Sequence, residues 1–559
     1  MQREQAYAAL HWLIGLSLGL GFWLVTQAYW VPAARNNDAN AYILGGRSLA
    51  EGHWRGVRPP DPMVFFGQHW VAPKPDRYVL KFPLGLPLLY ALIRSIGGAA
   101  NWPWDAYQLS PLLAALAVCG AYLLIREITD WYYAVLGAMV LAASPETLFF
   151  AEKPNSHACS LCAAVWGIYF LIRWWRTKSA WRGVLAGLIL GFDFAVRYTE
   201  GLLLAPIVLT IWFARRKGSQ AARSSVFSPQ SVLPLLAWLI PVSIQTTYNY
   251  SVLHHFSGYG LTNESTAFSL RYFLAYWPSI LHGLYDQCLY FILPLSVLGS
   301  VLMLAADWQL GLLIASWSVP AIVLYAAYYW SPEDGGPATL PYLRFLITVL
   351  PALVLAAMWL MHQLGHRLGE QSARLAAGII VAIALINEVE TATAAAAQLQ
   401  WNSLGGLLVA QEAKRIIPPG SSIFAEGHDM VLLEEIGDWR TYTNDLFTTE
   451  SIAPLGRVNA GEPQELQPAR AAAIYALLGG LSDAQLIAWQ NGLMRLAMSA
   501  GHGVYAILPT QLCRQFCDRY VNGRGFVAHT ILTWRVDGNW QTQFAAPSVT
   551  MQLVAIQPN

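Results

Sequence analysis

Eleven apolar windows, each close to the ~20 residues needed to cross a bilayer, are what most narrows the folds open to this chain. They lie near 8–31, 106–126, 132–150, 156–174, 181–198, 200–214, 232–250, 286–305, 309–329, 342–361 and 375–395. In hydrocarbon every backbone polar group must be satisfied internally, and windows of this length do so as helices. The expected class is a polytopic α-helical membrane protein of about eleven spans. Composition agrees, with 55% hydrophobic residues, 12% charged residues and 24 Trp. A net charge of +1 leaves no nucleic-acid footprint.

The first window, about Tyr7 to Val31, exceeds a signal-peptide core and lacks a small-residue cleavage site, so it is expected to stay as the first span. Cys119, Cys159, Cys162 and Cys288 fall in apolar segments and read as small buried hydrophobes. Cys513 and Cys517, four apart on a helix of the tail, are poorly placed for a disulfide.

Orientation follows from the basic clusters. Arg173, Arg176, Lys178 and Arg182 follow the fourth window, Arg215, Arg216, Lys217 and Arg223 the sixth, and Arg367 and Arg374 the tenth. Positive charge marks cytoplasmic loops. An odd number of spans then puts the loop after the first span and the whole C-terminal segment on the opposite side, the periplasm or exterior of an inner-membrane protein. Residues 1–400 form the membrane module, with a large first external loop at 32–105. Residues 401–559 contain no membrane-length run. Strand-like stretches at Ser422–Ala425, Val504–Leu508, Val527–Val536 and Met551–Ile556 alternate there with helical ones at Leu404–Ile416, Met430–Ile436, Asp483–Met498 and Gln511–Tyr520, as in a small α/β domain.

Within the first loop, Asp38 precedes Tyr42, Ile43 and Leu49, whose spacing is helical, so Asp38 is expected near a helix start where the dipole favours an anion. Lys81 follows in the same loop, just before Phe82-Pro83-Leu84-Gly85. An acid and a cation beside apolar helices point to chemistry on a lipid-borne anion. Asn37-Asp38-Ala39-x-x-Tyr42, the Leu49-Ala50-Glu51-Gly52 helix end and Lys81-x-Pro83-x-Gly85 together resemble the first external loop of GT-C membrane glycosyltransferases. Within that class the motifs resemble bacterial members similar to dolichyl-phosphate-mannose protein mannosyltransferases and the lipid A aminoarabinose transferase family. Most of that family has Asp-Glu where this chain has Asp38-Ala39, so the acid is kept and its neighbour is lost.

The resemblance implies a polyprenyl-phosphate-sugar donor, a glycan, lipid or protein acceptor, and one inverting displacement with Asp38 as base. No cofactor or metal is expected, since cations can hold the monophosphate leaving group; adjacent His254 and His255 point in different directions and make no ligand set. Lys81, Arg271 and Arg344 are the candidate phosphate holders. Arg271 heads an aromatic run at headgroup depth, and Arg344 stands at the outer end of a span, where a guanidinium keeps its charge when desolvated. Relatives carry a second acid after a Ser between the third and fourth spans; Ser156-His157 is the match, with Glu152 nearby, and either residue acts on the acceptor or simply caps a helix. Arg197 and Glu200, between two short spans, either pair structurally or face the cavity. Tyr42, Tyr78 and Tyr342 are expected to pack around it or line it. Two other functions fit the same spans: a transporter, against which stands the lack of matched halves, and a non-catalytic lipid-binding scaffold, which the missing acids keep open.

Overall fold

The computed structural model describes residues 2–34, 36–58, 64, 69–74, 77–98, 102–216, 229–256, 258, 268–328, 339–444, 474–537 and 548–559. Lys217 and Arg223 lie outside the described residues. Helix α1 (Gln2–Tyr29) turns Leu10, Leu13, Leu16, Leu20 and Leu24 outward, as a lipid-facing helix does. The chain then makes α2 (Asn37–Ala50), a hairpin of β1 (Trp70–Lys74) and β2 (Arg77–Leu80), and α3 (Gly85–Gly97). Helices α2 and α3 lie close because of Gly46: a Cβ there would stand 2.4 Å from the Cβ of Tyr90.

The membrane module continues with α4 (Leu109–Arg126), α5 (Trp131–Ala143), α6 (Pro145–Ala151), α7 (Ser156–Thr177) and α8 (Ala180–Val196). It is completed by α9 (Leu204–Arg216), α10 (Pro229–Leu253), α11 (Leu270–Leu284), α12 (Ile292–Ala306), α13 (Trp308–Ala326), α14 (Leu350–Leu368) and α15 (Glu370–Ile416). Every residue from Leu346 to Met361 is buried, so α14 is the central post, as its all-round apolar surface requires. Helices α8 and α10 meet along small residues four apart. A Cβ on Gly187 would lie 2.1 Å from the carbonyl oxygen of Pro234, and one on Gly191 2.5 Å from that of Trp238.

Among the described residues seven helices are long and apolar enough to cross a bilayer, or nine if two bent pairs each count as one span. The shortfall from eleven has local causes. The window at 132–150 is α5 and α6, bent by 59° where Pro145 follows Ser144. The windows at 181–198 and 200–214 are α8 and α9, of 17 and 13 residues, parted by a 3-10 stretch at Tyr198–Leu203 that carries Glu200. The window at 286–305 is α12, turned by 112° against the helix before it.

The expected boundary between 400 and 401 falls inside α15, a 47-residue helix that runs unbroken from the membrane module into the C-terminal domain. That domain has a five-stranded sheet in the order β4-β3-β5-β7-β6, built from β3 (Ser422–Ala425), β4 (Arg440–Thr443), β5 (Val504–Pro509), β6 (Phe526–Asp537) and β7 (Ser548–Pro558). The first three strands are parallel and the last two antiparallel. Helices α17 (Asp483–Ser499) and α18 (Thr510–Tyr520) cover one face. The other buries Ile423, Ile507 and Leu553 against α16 (Gly427–Ile436), Leu407, Ala410 and Ala413 of α15, and Val31 and Ala33 beyond α1. Cys513 and Cys517 are free thiols on α18.

The domain also grips α2. Glu435 of α16 accepts from the hydroxyl of Tyr107 and is hydrogen-bonded to Asn40, while Arg47 of α2 reaches the Gly437 carbonyl (3.5 Å) and Asp438 (3.4 Å). Burial at this junction pushes the Glu435 carboxyl up to about 8, against the lowering effect of its hydrogen bonds to Tyr107 and Asn40. A carboxyl whose folded value lies above its unfolded one favours the folded state at low pH, and that advantage drains away as pH rises through the folded value. The contact between the domain and α2 should therefore weaken between about pH 5 and pH 8. Glu435→Gln, which keeps a neutral group there, should flatten that slope in thermal unfolding or limited proteolysis across the range; an unchanged slope would assign it elsewhere.

Candidate active site

Helix α2 begins on Asn36, whose side-chain oxygen accepts from the backbone N–H of Asp38 (2.8 Å) and Ala39 (3.2 Å). This cap fixes Asp38 in the first turn, at the positive end of the helix. Two side chains from distant segments then divide its carboxylate. His69 Nε2 donates to Oδ1 at 2.9 Å, and an Arg344 guanidinium N–H donates to Oδ2 at 3.1 Å. Burial alone would neutralise Asp38; the His69 hydrogen bond and the Arg344 charge outweigh it and hold the carboxyl well below the usual carboxylate range. Asp38 is ionised at any working pH.

The hairpin explains why His69 is there. Trp70 pairs with Leu80 across β1 and β2, so the residues just outside that pair, His69 and Lys81, face one another, and the Lys81 N–H donates to the His69 carbonyl at 2.8 Å. The His69 ring lies 4.8 Å from that of Phe82, which stacks on Tyr42 at 4.6 Å. Lys81 is thus tied by its backbone to the residue that holds Asp38. Tyr78 sits beneath, packed with Trp70, Leu80 and Ala41, and serves the hairpin core.

The opposite wall is the turn into α7. Tyr42 is hydrogen-bonded to Ser156. His157 is buried with its ring edge-on to Phe150 at 4.5 Å, and neither ring nitrogen has a hydrogen-bond partner among the described residues. The charge on Asp38 is felt at His157, and at Lys153 too. Burial, aided by the nearby Arg344 charge, lowers the Lys153 amine to about 8, and its Nζ lies 3.9 Å from the Phe149 ring centre. Glu152 is buried without a partner among the described residues and has no recorded link to Asp38. A cleft of about 460 Å³ opens beside Lys153 and Asn36, walled further by Phe149, Gln287 and the α15 residues Gln398 and Asn402.

A polar cluster forms the floor. Arg197 pairs with Glu200 at 3.8 Å and donates to the Tyr325 hydroxyl at 3.2 Å, while Tyr342 donates to the Tyr325 carbonyl at 2.7 Å. The Phe345 ring stacks on Tyr325 and lies 4.9 Å from the Arg344 guanidinium carbon and 5.8 Å from that of Arg197. Arg197 is therefore both a structural partner of Glu200 and a neighbour of the Asp38 group. Arg271, expected among the phosphate holders, is exposed at the start of α11 and makes no recorded contact with this group. The residues missed from sequence are His69 and Lys153. Their signals, a polar residue just before an aromatic strand and a lysine four residues before a buried histidine, are weak ones.

Removing Arg344 should return basicity to Asp38. In Arg344→Gln the carboxyl should take up its proton about 1–3 pH units higher than in the native protein, read from the protonated-carboxyl infrared band after subtraction of Asp38→Asn. An unmoved band would show that His69 alone sets the state of Asp38.

Residues 81–244 match the family model of dolichyl-phosphate-mannose-protein mannosyltransferase, a stretch from Lys81 that includes Lys153, His157, Arg197 and Glu200. The structure is similar to that of ArnT from Cupriavidus metallidurans bound to undecaprenyl phosphate, with a TM-score of 0.55 and 12% identity over 97% of each chain. It is also similar to the Archaeoglobus fulgidus oligosaccharyltransferase solved with zinc and sulfate, with a TM-score of 0.50 and 12% identity over 92% of this chain and 70% of that one. No curated protein matches the chain by sequence. The chain is thus a multi-pass membrane protein with the GT-C fold of membrane glycosyltransferases, and its segment 81–244 matches the mannosyltransferase family.

Proposed function

We propose that this protein is a glycosyltransferase that moves a sugar from a polyprenyl-phosphate carrier to an acceptor hydroxyl, with Asp38 as the base. The observation that carries the reading is an ionised, partly buried carboxylate held by His69 and Arg344 at the edge of the membrane module, with Lys81 and Lys153 close by. ArnT, which shares the fold, was solved bound to a polyprenyl phosphate. The site faces the periplasm or exterior if the basic loops are cytoplasmic.

In the proposed step the acceptor O–H gives its proton to Asp38 as its oxygen bonds to the anomeric carbon. The bond from that carbon to the phosphate oxygen breaks, and polyprenyl phosphate leaves with the electron pair. Attack opposite the leaving group inverts the centre. Lys81, Arg344 and Lys153 oppose the charge that develops on the phosphate. In this structure Arg344 is bound to Asp38. A donor phosphate beside Lys81 competes for that guanidinium, and as Arg344 turns to the phosphate Asp38 becomes the stronger base. Donor binding thereby prepares the base for the acceptor, a glycan, lipid or protein for which the cleft beside Lys153 offers an approach.

Asp38→Asn should lower transfer from a labelled polyprenyl-phosphate sugar by about 10²–10⁴-fold, the usual share of a general base, with thermal unfolding close to that of the native protein. The assay is loss of label from the carrier in the presence of membrane extract. Equal turnover in both proteins would remove Asp38 from the mechanism, and a folded native protein that binds carriers without turning any over would favour a lipid-binding scaffold.

A further inference from the structure

A second cavity lies at the far end of the bundle and does not depend on the transfer reading. It measures about 610 Å³ and is lined by Tyr7, Ala8, His11 and Trp12 of α1, Leu123 and Arg126 of α4, Glu127, and Tyr169 and Arg173 of α7. Helix α1 runs from this cavity to the segment that bears Asp38, and its span of 23 residues separates the two by about 35 Å, one bilayer core. The cavity's polar walls are the guanidinium groups of Arg126 and Arg173, the Glu127 carboxylate and the His11 ring. His11 is only 8% exposed, and its Nδ1 lies 2.6 Å from the Tyr122 hydroxyl.

Arg173 is partly satisfied by Glu127 at 2.5 Å, but Arg126 has no carboxylate partner among the described residues; its guanidinium reaches the Tyr7 hydroxyl at 3.5 Å and lies over that ring. Two guanidinium groups on the walls of one cavity suit an anion with several oxygens. The surroundings say what carries it. Ala8, Trp12 and Leu123 give the cavity apolar walls, Trp12 stacks on Trp166 at 5.6 Å, and Leu10, Leu13 and Leu16 lie exposed along the same helix, where acyl chains run. Arg176 and Lys178 follow Arg173 at the same end.

We infer that this cavity binds the phosphate of a membrane lipid in the leaflet opposite Asp38, with Arg126 and Arg173 as its principal donors. The full-length protein would be placed in phosphatidylcholine nanodiscs doped with phosphatidic acid or phosphatidylglycerol, extracted, and weighed by native mass spectrometry. Retention of either anionic lipid in preference to phosphatidylcholine is expected, reduced about tenfold by Arg126→Gln and largely restored by Arg126→Lys. Retention unaffected by Arg126→Gln, or abolished by inorganic phosphate at a concentration equal to the lipid, would overturn the proposal. Should Arg126→Gln fail to fold, brominated phosphatidic acid provides a second measurement. It should quench native fluorescence more than brominated phosphatidylcholine does, and the excess should vanish in Trp12→Phe; no excess, or one that survives the substitution, would overturn it equally.

Discussion

A carboxylate taken out of bulk water stays charged only where donors and opposite charge meet it, and much of this structure reads as the means of bringing both to Asp38. Helix α2 offers its N-terminal turn, the hairpin delivers His69, and the start of the α14 column delivers Arg344 from 306 residues away. Each partner takes a different oxygen. Because neither partner is local, the charge state of Asp38 depends on the docking of the first loop, the central post and the C-terminal domain that grips α2. An error in any of these would leave an unpaired buried charge, a stringent reason for the parts to fit.

What could be read in advance divides along physical lines. Asp38 at a helix start and Arg344 at the outer end of an apolar run were legible, because helix periodicity and span boundaries are local signals. The contact of Arg344 with Asp38 was not: a guanidinium suited to phosphate is equally suited to a carboxylate, and only the fold shows that Asp38 lies within its reach. His69 escaped because it stands in an aperiodic stretch, where its position is set by the pairing of Trp70 with Leu80. Strand β4, Arg-Thr-Tyr-Thr, is too short and polar to announce itself, and it forms because β3 offers a parallel edge. The interruptions within the apolar windows have a similar origin: hydropathy counts apolar length, while Pro145 and the Tyr198–Leu203 stretch bend or divide that length.

Among the described residues the C-terminal domain makes no ion pair with Asp38, yet it is bonded to α2 at two levels, through Asn40 at Glu435 and through Arg47 at Gly437 and Asp438. Asn40 lies two residues from Asp38. The domain thus bears on the placement of Asp38. Its ionisable contact is a carboxyl buried among neutral hydroxyl and amide groups, in contrast to the charged partners that hold Asp38.

Helix α15 connects these halves without a hinge. At about 1.5 Å per residue its 47 residues extend some 70 Å, more than twice the thickness of a hydrocarbon core. A rigid shaft of this kind transmits phase as well as distance. One residue inserted into it would turn the sheet by about 100° around the helix axis and carry Glu435 away from Tyr107, whereas seven would nearly restore the angle but lift the sheet by about 10 Å. The C-terminal domain therefore cannot be exchanged among relatives as a bead on a string; a graft would have to preserve both the pitch and the length of the shaft that carries it.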